Sequence, residues 1–282
     1  MSSCSRTRLI SLIGALLLAA CGTSPRGLGA QDLGESFLRP RDDFAGRMQL
    51  PERPLRQFSA GDPARILVIG DSLAQGFGIF LDRRVNERGL TAVVANRART
   101  STGLSRSDFY DWPQAFAGIA PGLRPDVIVV HFGSNDKQAL VTGTGTIPQQ
   151  TAEWDAAYRA QIRRILDIAA QQRAVVYWLG PAPDRSASLN RHMTRINPII
   201  EAEARAVRAV YLPMAEFAAG ANGEYAKTAV IDGKTVTIRS PDGSHFTGAG
   251  YYLVVDQLLN DMARRMPGMF RPANVALAGI LQ

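Results

Sequence analysis

The feature that most constrains the fold of this chain is a series of five short apolar runs rich in β-branched residues. They are residues 66–69, 91–95, 126–130, 174–179 and 209–212. Strands of a parallel sheet that is covered on both faces have this continuous apolar character. Helix-like segments lie between the runs. The alternation predicts a doubly wound α/β domain, a three-layer sandwich with a mainly parallel five-stranded sheet.

The clearest helical segment covers residues 152–170, where apolar side chains recur every 3.6 residues and arginines lie opposite. Its predicted buried face consists of Trp154, Tyr158, Ile162, Ile165, Leu166 and Ala169. Residues 188–208 predict a second helix, which Pro198 either interrupts or starts. Residues 247–265 predict the last helix, with Thr247 as a candidate N-cap.

Two segments depart from this alternation. Residues 225–239 form two alternating runs around Asp232-Gly233, which predicts a β-hairpin. Residues 137–150 are rich in glycine and threonine and form either a lid over the site or a long loop.

The N-terminus has the organisation of a secretory signal. Arg6 and Arg8 precede an apolar stretch at residues 9–20, which is too short to span a membrane and has the length of a signal-peptide core. The stretch ends in Leu-Ala-Ala-Cys at residues 18–21, which resembles a bacterial lipobox. This resemblance implies a lipid on Cys21. A plain cleaved signal peptide and a membrane-spanning anchor are the alternatives.

These features predict three regions. Residues 1–20 are a lipoprotein signal peptide, residues 21–64 a lipidated cysteine with a Pro- and Gly-rich tether, and residues 65–282 the folded domain. Gly22 stands where a retention signal would place Asp, so the resemblance implies the outer membrane. We therefore expect a protein of the bacterial periplasm that is held to the membrane by lipid on Cys21.

Composition excludes several classes of function. The two cysteines, Cys4 and Cys21, both precede the domain, so it has no disulfide, cysteine nucleophile or cysteine-based metal site. The net charge is +7, but the arginines are scattered and form no basic stripe with interleaved aromatics, so we expect no nucleic-acid partner. Three isolated histidines do not make a zinc site. We expect neither a metal nor a cofactor.

Four polar clusters follow predicted strands or the predicted hairpin. They are Gly-Asp-Ser-Leu at residues 70–73, Arg-Thr-Ser-Thr-Gly at 99–103, His-Phe-Gly-Ser-Asn-Asp at 131–136 and Asp-Gly-Ser-His at 242–245. The carboxyl ends of parallel strands meet at one edge of the sheet, so these clusters have the placement of a site. Each cluster alone has a plainer interpretation, as a helix cap, a turn glycine or a loop.

The residue types indicate acyl chemistry. A serine between a buried strand and a helix N-terminus lies where backbone amides favour a developing negative charge, and Ser72 has that position. Asp242 and His245 are three residues apart and can hydrogen-bond, which fixes the imidazole tautomer. Asp136 is a candidate cap for the segment that follows it. We expect His131 to be a packed residue and His192 to lie on the surface.

In this order and placement, the four clusters resemble those of the SGNH (GDSL) hydrolase superfamily, over about residues 65–265. The details look most like a bacterial envelope branch. The resemblance implies a flavodoxin-like fold in which Ser72 is the nucleophile, His245 the general base and Asp242 its orienting carboxylate. It also implies an oxyanion hole made by the backbone amide of Ser72 with Gly103 and Asn135. The second cluster departs from the family pattern because it lacks a compact Asn-x-Gly.

The resemblance implies a serine esterase of the cell envelope that acts on an envelope ester. We expect an O-acetyl or other short O-acyl group on a carbohydrate, because no long apolar segment would line an acyl-chain tunnel. We also expect a monomer. One alternative is an O-acyltransferase that uses the same serine to modify a periplasmic glycan. A second is a glycan-binding lipoprotein without catalysis.

Overall fold

The computed structural model describes Leu50 and residues 56–270. The predicted signal peptide, Cys21 and most of the predicted tether lie outside these residues. The described part of the tether packs on the domain. Leu50 is buried and donates its backbone N–H to the carbonyl oxygen of Val207 at 2.9 Å, and Arg56 binds the Asp126 carboxylate through Nε at 2.7 Å and Nη2 at 2.6 Å. Within the described residues, no helix has both the length and the apolar character needed to cross a bilayer.

A five-stranded parallel sheet forms the centre of the domain. Its strands are β1 (Ala64–Gly70), β2 (Ala92–Asn96), β3 (Val127–His131), β6 (Val175–Gly180) and β7 (Val210–Pro213). They lie in the order β2-β1-β3-β6-β7. Counted along the sheet strands alone, this is the 2-1-3-4-5 order of flavodoxin-like folds. The predicted fold class is therefore confirmed.

Helices cover both faces of the sheet. They are α1 (Ser72–Glu87), α2 (Trp112–Leu123), α3 (Ala152–Gln171), α4 (Ala187–Ala206) and α5 (Gly248–Arg265). Helices α1 and α5 pack on one face, whereas α2, α3 and α4 pack on the other. Two antiparallel hairpins complete the described chain, β4 (Leu140–Thr142) with β5 (Gly145–Ile147) and β8 (Thr228–Ile231) with β9 (Lys234–Thr237).

The sheet supplies alternate side chains to two apolar cores. In β1, Ile66 and Val68 face α1 and α5, whereas Leu67 and Ile69 face the other three helices. The predicted apolar face of α3 is buried against this second core, as expected from its period. Burial of such side chains is the main source of stability, about 1.5–3 kcal/mol for each large one.

One local prediction is wrong, and two elements of the structure were not predicted. Helix α4 continues through Pro198, so the proline neither interrupts nor starts it. Helix α2 and the β4–β5 hairpin were not predicted. The α2 sequence contains prolines and glycines that weaken a helical pattern, namely Pro113, Gly118, Pro121 and Gly122. The two strands of the β4–β5 hairpin have three residues each, which is too short to show a period.

The sheet topology creates the crevice where the polar clusters meet. Strands β1 and β3 are neighbours, and their connections leave to opposite faces of the sheet, which makes their carboxyl ends a topological switch point. Gly70 ends β1 with a φ of 140°, and a Cβ there would lie 2.0 Å from the carbonyl oxygen of His131. Only glycine allows β1 and β3 to approach this closely before the chain turns into α1.

Candidate active site

Ser72 is the first residue of α1, directly after β1. Asp71 caps the helix, because its Oδ1 accepts hydrogen bonds from the backbone N–H groups of Leu73 at 2.9 Å and Ala74 at 3.4 Å. Asp71 is fully buried, and this burial raises the pKa of its carboxyl group above the ordinary range. The cap interpretation therefore holds for Asp71, while the Ser72 side chain stays available for other contacts.

Ser72, His245 and Asp242 form a continuous hydrogen-bonded chain. The Ser72 Oγ lies 2.8 Å from Nε2 of His245, a residue 173 positions away in sequence. On the other side of the ring, Nδ1 lies 2.8 Å from Oδ2 of Asp242. An ionised carboxylate can only accept a hydrogen bond, so Nδ1 carries the hydrogen and donates it to Asp242, which leaves Nε2 as the acceptor for the serine hydroxyl. This arrangement can deprotonate Ser72 as it attacks an electrophile.

The Asp242 carboxylate is held in its ionised form. Its partial burial acts to raise the pKa, but hydrogen bonds from the Ser244 backbone and from His245 outweigh that effect and lower the pKa of Asp242 below its ordinary value. Oδ1 accepts the backbone N–H groups of Ser244 and His245, each at 2.9 Å. The side chains of His245 and Asp242 are 41% and 51% exposed, so the site opens to solvent.

Residues 240–246, here called the catalytic loop, are fixed by residues that the sequence did not single out. Asp184 accepts the Ser244 hydroxyl at 2.5 Å, and Arg239 donates to the Ser244 carbonyl oxygen at 2.9 Å. Arg185 donates to the Asp242 carbonyl oxygen at 2.9 Å. No motif marks these three residues. Asp184 and Arg185 lie 60 and 57 positions from their partners in the catalytic loop, and Arg239 also binds the Pro183 carbonyl oxygen, 56 positions away.

Two of the predicted oxyanion-hole residues, Gly103 and Asn135, lie on segments that contact each other. Asn135 belongs to a 3₁₀ turn, Ser134–Asp136, after β3, and its Nδ2 donates to the carbonyl oxygen of Thr102 at 2.9 Å. Within the described part of the chain, the backbone N–H groups of Ser72 and Gly103 donate to no other residue. These two amides and the second N–H of Asn135 are thus available to an added acceptor.

The Asp136 side chain binds groups on other elements instead of capping the segment that follows it. It is fully buried, and its two oxygens accept the backbone N–H of Ser105 and the hydroxyl of Tyr158, both at 2.9 Å. Burial raises the pKa of Asp136 to about 6, against these hydrogen bonds, which lower it. A Cβ on Gly103 would lie 2.3 Å from Oδ1 of Asp136, so glycine is required at that position. The sequence signal was the aspartate that follows Asn135.

The two other histidines differ in outcome. His131 is packed as expected, 1% exposed, with Nδ1 donating to the carbonyl oxygen of Leu179 at 2.9 Å. The surface prediction for His192 is wrong. It is 3% exposed and meets Trp154 edge-on at 5.6 Å, because its face of α4 packs against α3. Burial lowers the pKa of His192 to about 4. Across residues 56–270, no three His, Cys, Asp or Glu side chains converge as a metal site.

The glycine- and threonine-rich segment after Asn135 is the β4–β5 hairpin. It is tied to the loop that carries Gly103, because Val141 donates to the Ser105 carbonyl oxygen at 2.8 Å and accepts from the Ser107 hydroxyl at 2.9 Å. Leu140 is fully buried. The segment is therefore an anchored extension of the oxyanion-side loops.

The sequence of this chain matches a known protein family over the region that contains the site. The sequence model of the family described as "Protein of unknown function (DUF459)" matches residues 65–261. The chain belongs to this family. The match covers all four polar clusters of the DUF459 chain and most of α5. A comparison with curated proteins gave no match.

Solved structures share the fold of this DUF459 protein. A GDSL-like lipase from Bacteroides thetaiotaomicron superposes with a TM-score of 0.52 at 17% identity, over 72% of this chain and 89% of that one. A candidate acylhydrolase from Bacteroides fragilis gives 0.52 at 15% identity, over 79% and 93%. TesA gives 0.50 at 16% identity, over 72% and 99%. The expected SGNH hydrolase fold is therefore confirmed.

Proposed function

We propose that this DUF459 protein is a serine esterase that hydrolyses carboxylic esters with Ser72 as nucleophile. The observation that carries the proposal is the hydrogen-bonded chain from Ser72 Oγ through both nitrogens of His245 to Asp242, with both distances at 2.8 Å. A serine that is part of such a chain can attack an acyl carbon at neutral pH. The SGNH fold of the domain supports this interpretation by analogy.

In the first half of the reaction, His245 Nε2 takes the hydroxyl proton as Ser72 Oγ bonds to the ester carbon. The carbonyl oxygen becomes an oxyanion, which the backbone amides of Ser72 and Gly103 and the Asn135 amide can stabilise. One such donor contributes about 2.7–4 kcal/mol to transition-state stabilisation. His245 then gives its proton to the leaving alcohol, and the acyl group stays on Ser72.

In the second half, His245 takes a proton from water as the water oxygen bonds to the acyl carbon. The bond between Ser72 Oγ and the acyl carbon then breaks, the acid leaves, and His245 returns the proton to Ser72 Oγ. Asp242 holds the ring in one orientation and stabilises its protonated form in both halves. The lowered pKa of the Asp242 carboxyl keeps it charged through this cycle.

The substrate class that fits best is a short O-acyl group, such as acetate, on an envelope carbohydrate. The exposure of His245 and Asp242 supports it, because an ester on a bulky polymer can reach an open site. The sequence of residues 18–21 supports a lipid on Cys21, and Gly22, which stands where a retention signal would place Asp, supports a location at the outer membrane, facing the periplasm. The protein is proposed to act there as a monomer.

Hydrolysis of p-nitrophenyl acetate tests the nucleophile. We expect Ser72→Ala to lower kcat by at least about 1,000-fold, because the attacking oxygen is removed. Ser59→Ala is a matched control, since Ser59 is an exposed serine that precedes β1, whereas Ser72 follows the opposite end of that strand. Equal rates for wild type and Ser72→Ala would overturn the proposal.

Two further arms separate the alternative activities. An organophosphonate serine probe labels an active esterase at Ser72, whereas a glycan-binding protein without catalysis stays unlabelled. Released acetate is then measured with and without an acetyl-acceptor glycan. Hydrolysis predicts free acetate in both cases, and an acyltransferase would instead move the acetyl group to the glycan.

A further inference from the structure

A cavity of about 480 Å³ lies next to the catalytic loop, between it and the β8–β9 hairpin. Three cationic side chains line it, Arg185, Lys227 and Arg239, together with Tyr225. Two of the cations touch the catalytic loop directly. Arg185 donates to the Asp242 carbonyl oxygen and Arg239 to that of Ser244, each at 2.9 Å. The cavity is thus built on the same loop that carries the base.

Arg239 lines the cavity although its side chain is almost fully buried, which is unusual for an arginine. The residue is 2% exposed, and its guanidinium lies 4.0 Å from the centre of the Phe246 ring and 5.8 Å from that of Tyr225. Its hydrogen bonds go only to carbonyl oxygens, those of Ser244 and Pro183, and Nε has no partner in the described chain. A guanidinium has five N–H donors, so several of them remain unused.

The carboxylates near Arg239 are committed to other groups. Asp184 and Asp242 both favour the positive charge of Arg239 at a distance. The oxygens of Asp184 accept from Ser244 and Ser186, and those of Asp242 accept from the catalytic loop. Among the described contacts, neither carboxylate accepts a hydrogen bond from Arg239. Burial lowers the pKa of Arg239 to about 10, which still leaves it charged at neutral pH.

The two other cations lack acidic partners as well. In the described residues, Lys227 has no ion pair, and Arg185 contacts a carbonyl oxygen but no carboxylate. A buried cation is costly unless an anion contacts it, and three cations around one concave surface attract negative charge. The environment therefore favours an anion with oxygen acceptors.

We propose that this cavity is a substrate subsite that binds a carboxylate or phosphate group carried by the ester substrate. The inference rests on the proposed esterase function and adds a substrate class to it, an anionic ester. Arg239 and Arg185 would hold the anion through charge-assisted hydrogen bonds, and Lys227 would add a third charge at the mouth. The anion belongs either to the acyl part of the ester or to its alcohol part.

Two pairs of esters distinguish these sources. The first pair is mono-p-nitrophenyl adipate and its terminal amide, which differ in charge on the acyl part. The second is 4-acetoxyphenylacetate and its amide, which differ in charge on the alcohol part. We expect kcat/KM to be about tenfold higher for the acid in one pair, since one charge-assisted hydrogen bond has about that effect.

Lys227→Gln tests whether the cavity is responsible. We expect it to lower the acid-to-amide ratio of kcat/KM about threefold to tenfold and to raise KM for the acid. Lys234→Gln is the matched control, because Lys234 is exposed on the same hairpin but does not line the cavity. The ratio should stay at the wild-type value in that variant.

A binding measurement separates failure of this inference from failure of the esterase proposal. Uncleaved acid and amide esters are titrated into the Ser72→Ala protein by calorimetry. Tighter binding of the acid, lost in Lys227→Gln, supports the subsite even if wild type cleaves neither ester. Equal binding and equal kcat/KM of acid and amide in both pairs, with p-nitrophenyl acetate still hydrolysed, would overturn the subsite and leave the esterase proposal standing.

Discussion

At the scale of single residues, the candidate site depends on Gly103, where any side chain would occupy the space of the Asp136 carboxylate. The loop with Gly103 approaches the Asp136 carboxylate so closely that a Cβ would lie 2.3 Å from its Oδ1. Asp136 in turn accepts the Ser105 backbone N–H. The glycine is thus needed for the packing of the loop against Asp136.

We therefore expect Gly103→Ala to lower kcat about 100-fold with p-nitrophenyl acetate, because the added methyl group displaces the loop and misaligns one oxyanion donor. Gly118→Ala is the control. Gly118 lies in α2 with no atom within 4 Å of an added Cβ, so the variant should keep wild-type kcat and gain up to about 1 kcal/mol in helix stability. A wild-type kcat in Gly103→Ala would remove Gly103 from the proposed oxyanion hole.

At the scale of elements, helices α3 and α4 are joined by a buried ion cluster. Glu203 of α4 is 1% exposed and accepts from Arg159 at 2.9 Å and from Arg163 at 2.6 and 2.8 Å. Burial acts to raise the pKa of Glu203, but the hydrogen bonds from the two arginines outweigh it, so the pKa is lowered from 4.5. A carboxyl with a lowered pKa stabilises the fold above its unfolded pKa and loses that contribution on acidification.

Glu203→Gln should lower the free energy of unfolding by about 2–3 kcal/mol at pH 7, since it leaves two arginines without their carboxylate. The difference from wild type should shrink as the pH falls below 4.5, where the unfolded carboxyl binds a proton first. Urea unfolding at several pH values measures it. Glu201→Gln, in an exposed pair with Arg205 on the same helix, should change stability by less than about 0.5 kcal/mol. A pH-independent difference would contradict the ion-cluster account.

At the scale of the whole molecule, chain before β1 is part of the folded unit. Arg56 binds Asp126 at the start of β3 with two hydrogen bonds, and Leu50 packs in the core between the sheet and α2–α4. Asp126 also accepts the Arg65 backbone N–H at 2.8 Å. These contacts fasten the amino-terminal edge of the sheet, opposite the edge that carries Ser72.

A chain that begins at Ala64, the first residue of β1, should therefore be less stable than one that begins at residue 50, by about 3 kcal/mol, because it loses one buried leucine and the two-bond contact to Asp126. Urea unfolding of the two chains measures the difference. The p-nitrophenyl acetate rate of the folded fraction should be similar in both, since the contacts lie at the far edge of the sheet. Equal midpoints for the two chains would show that residues 50–63 add nothing to the fold.

Local patterns in the sequence determined the five strands of the central sheet, the hairpin at Asp232-Gly233 and the pairing of Asp242 with His245. Each of these depends on residues close in the chain, where backbone conformation and the period of apolar side chains decide the outcome. The placement of Ser72 after a buried strand also follows from that local pattern, as does the edge of the sheet on which it lies.

Only the tertiary structure decided which distant groups surround these residues. Asp136 with Ser105, Arg239 with Pro183 and Glu203 with Arg163 are separated by 31, 56 and 40 positions. Such contacts depend on how whole elements pack, and no local period encodes them. The burial of His192 has the same cause, because the stretch around it is polar in sequence, but its own face of α4 is covered by α3. The cavity beside the catalytic loop likewise exists only where the hairpin, the loop after β6 and the catalytic loop meet.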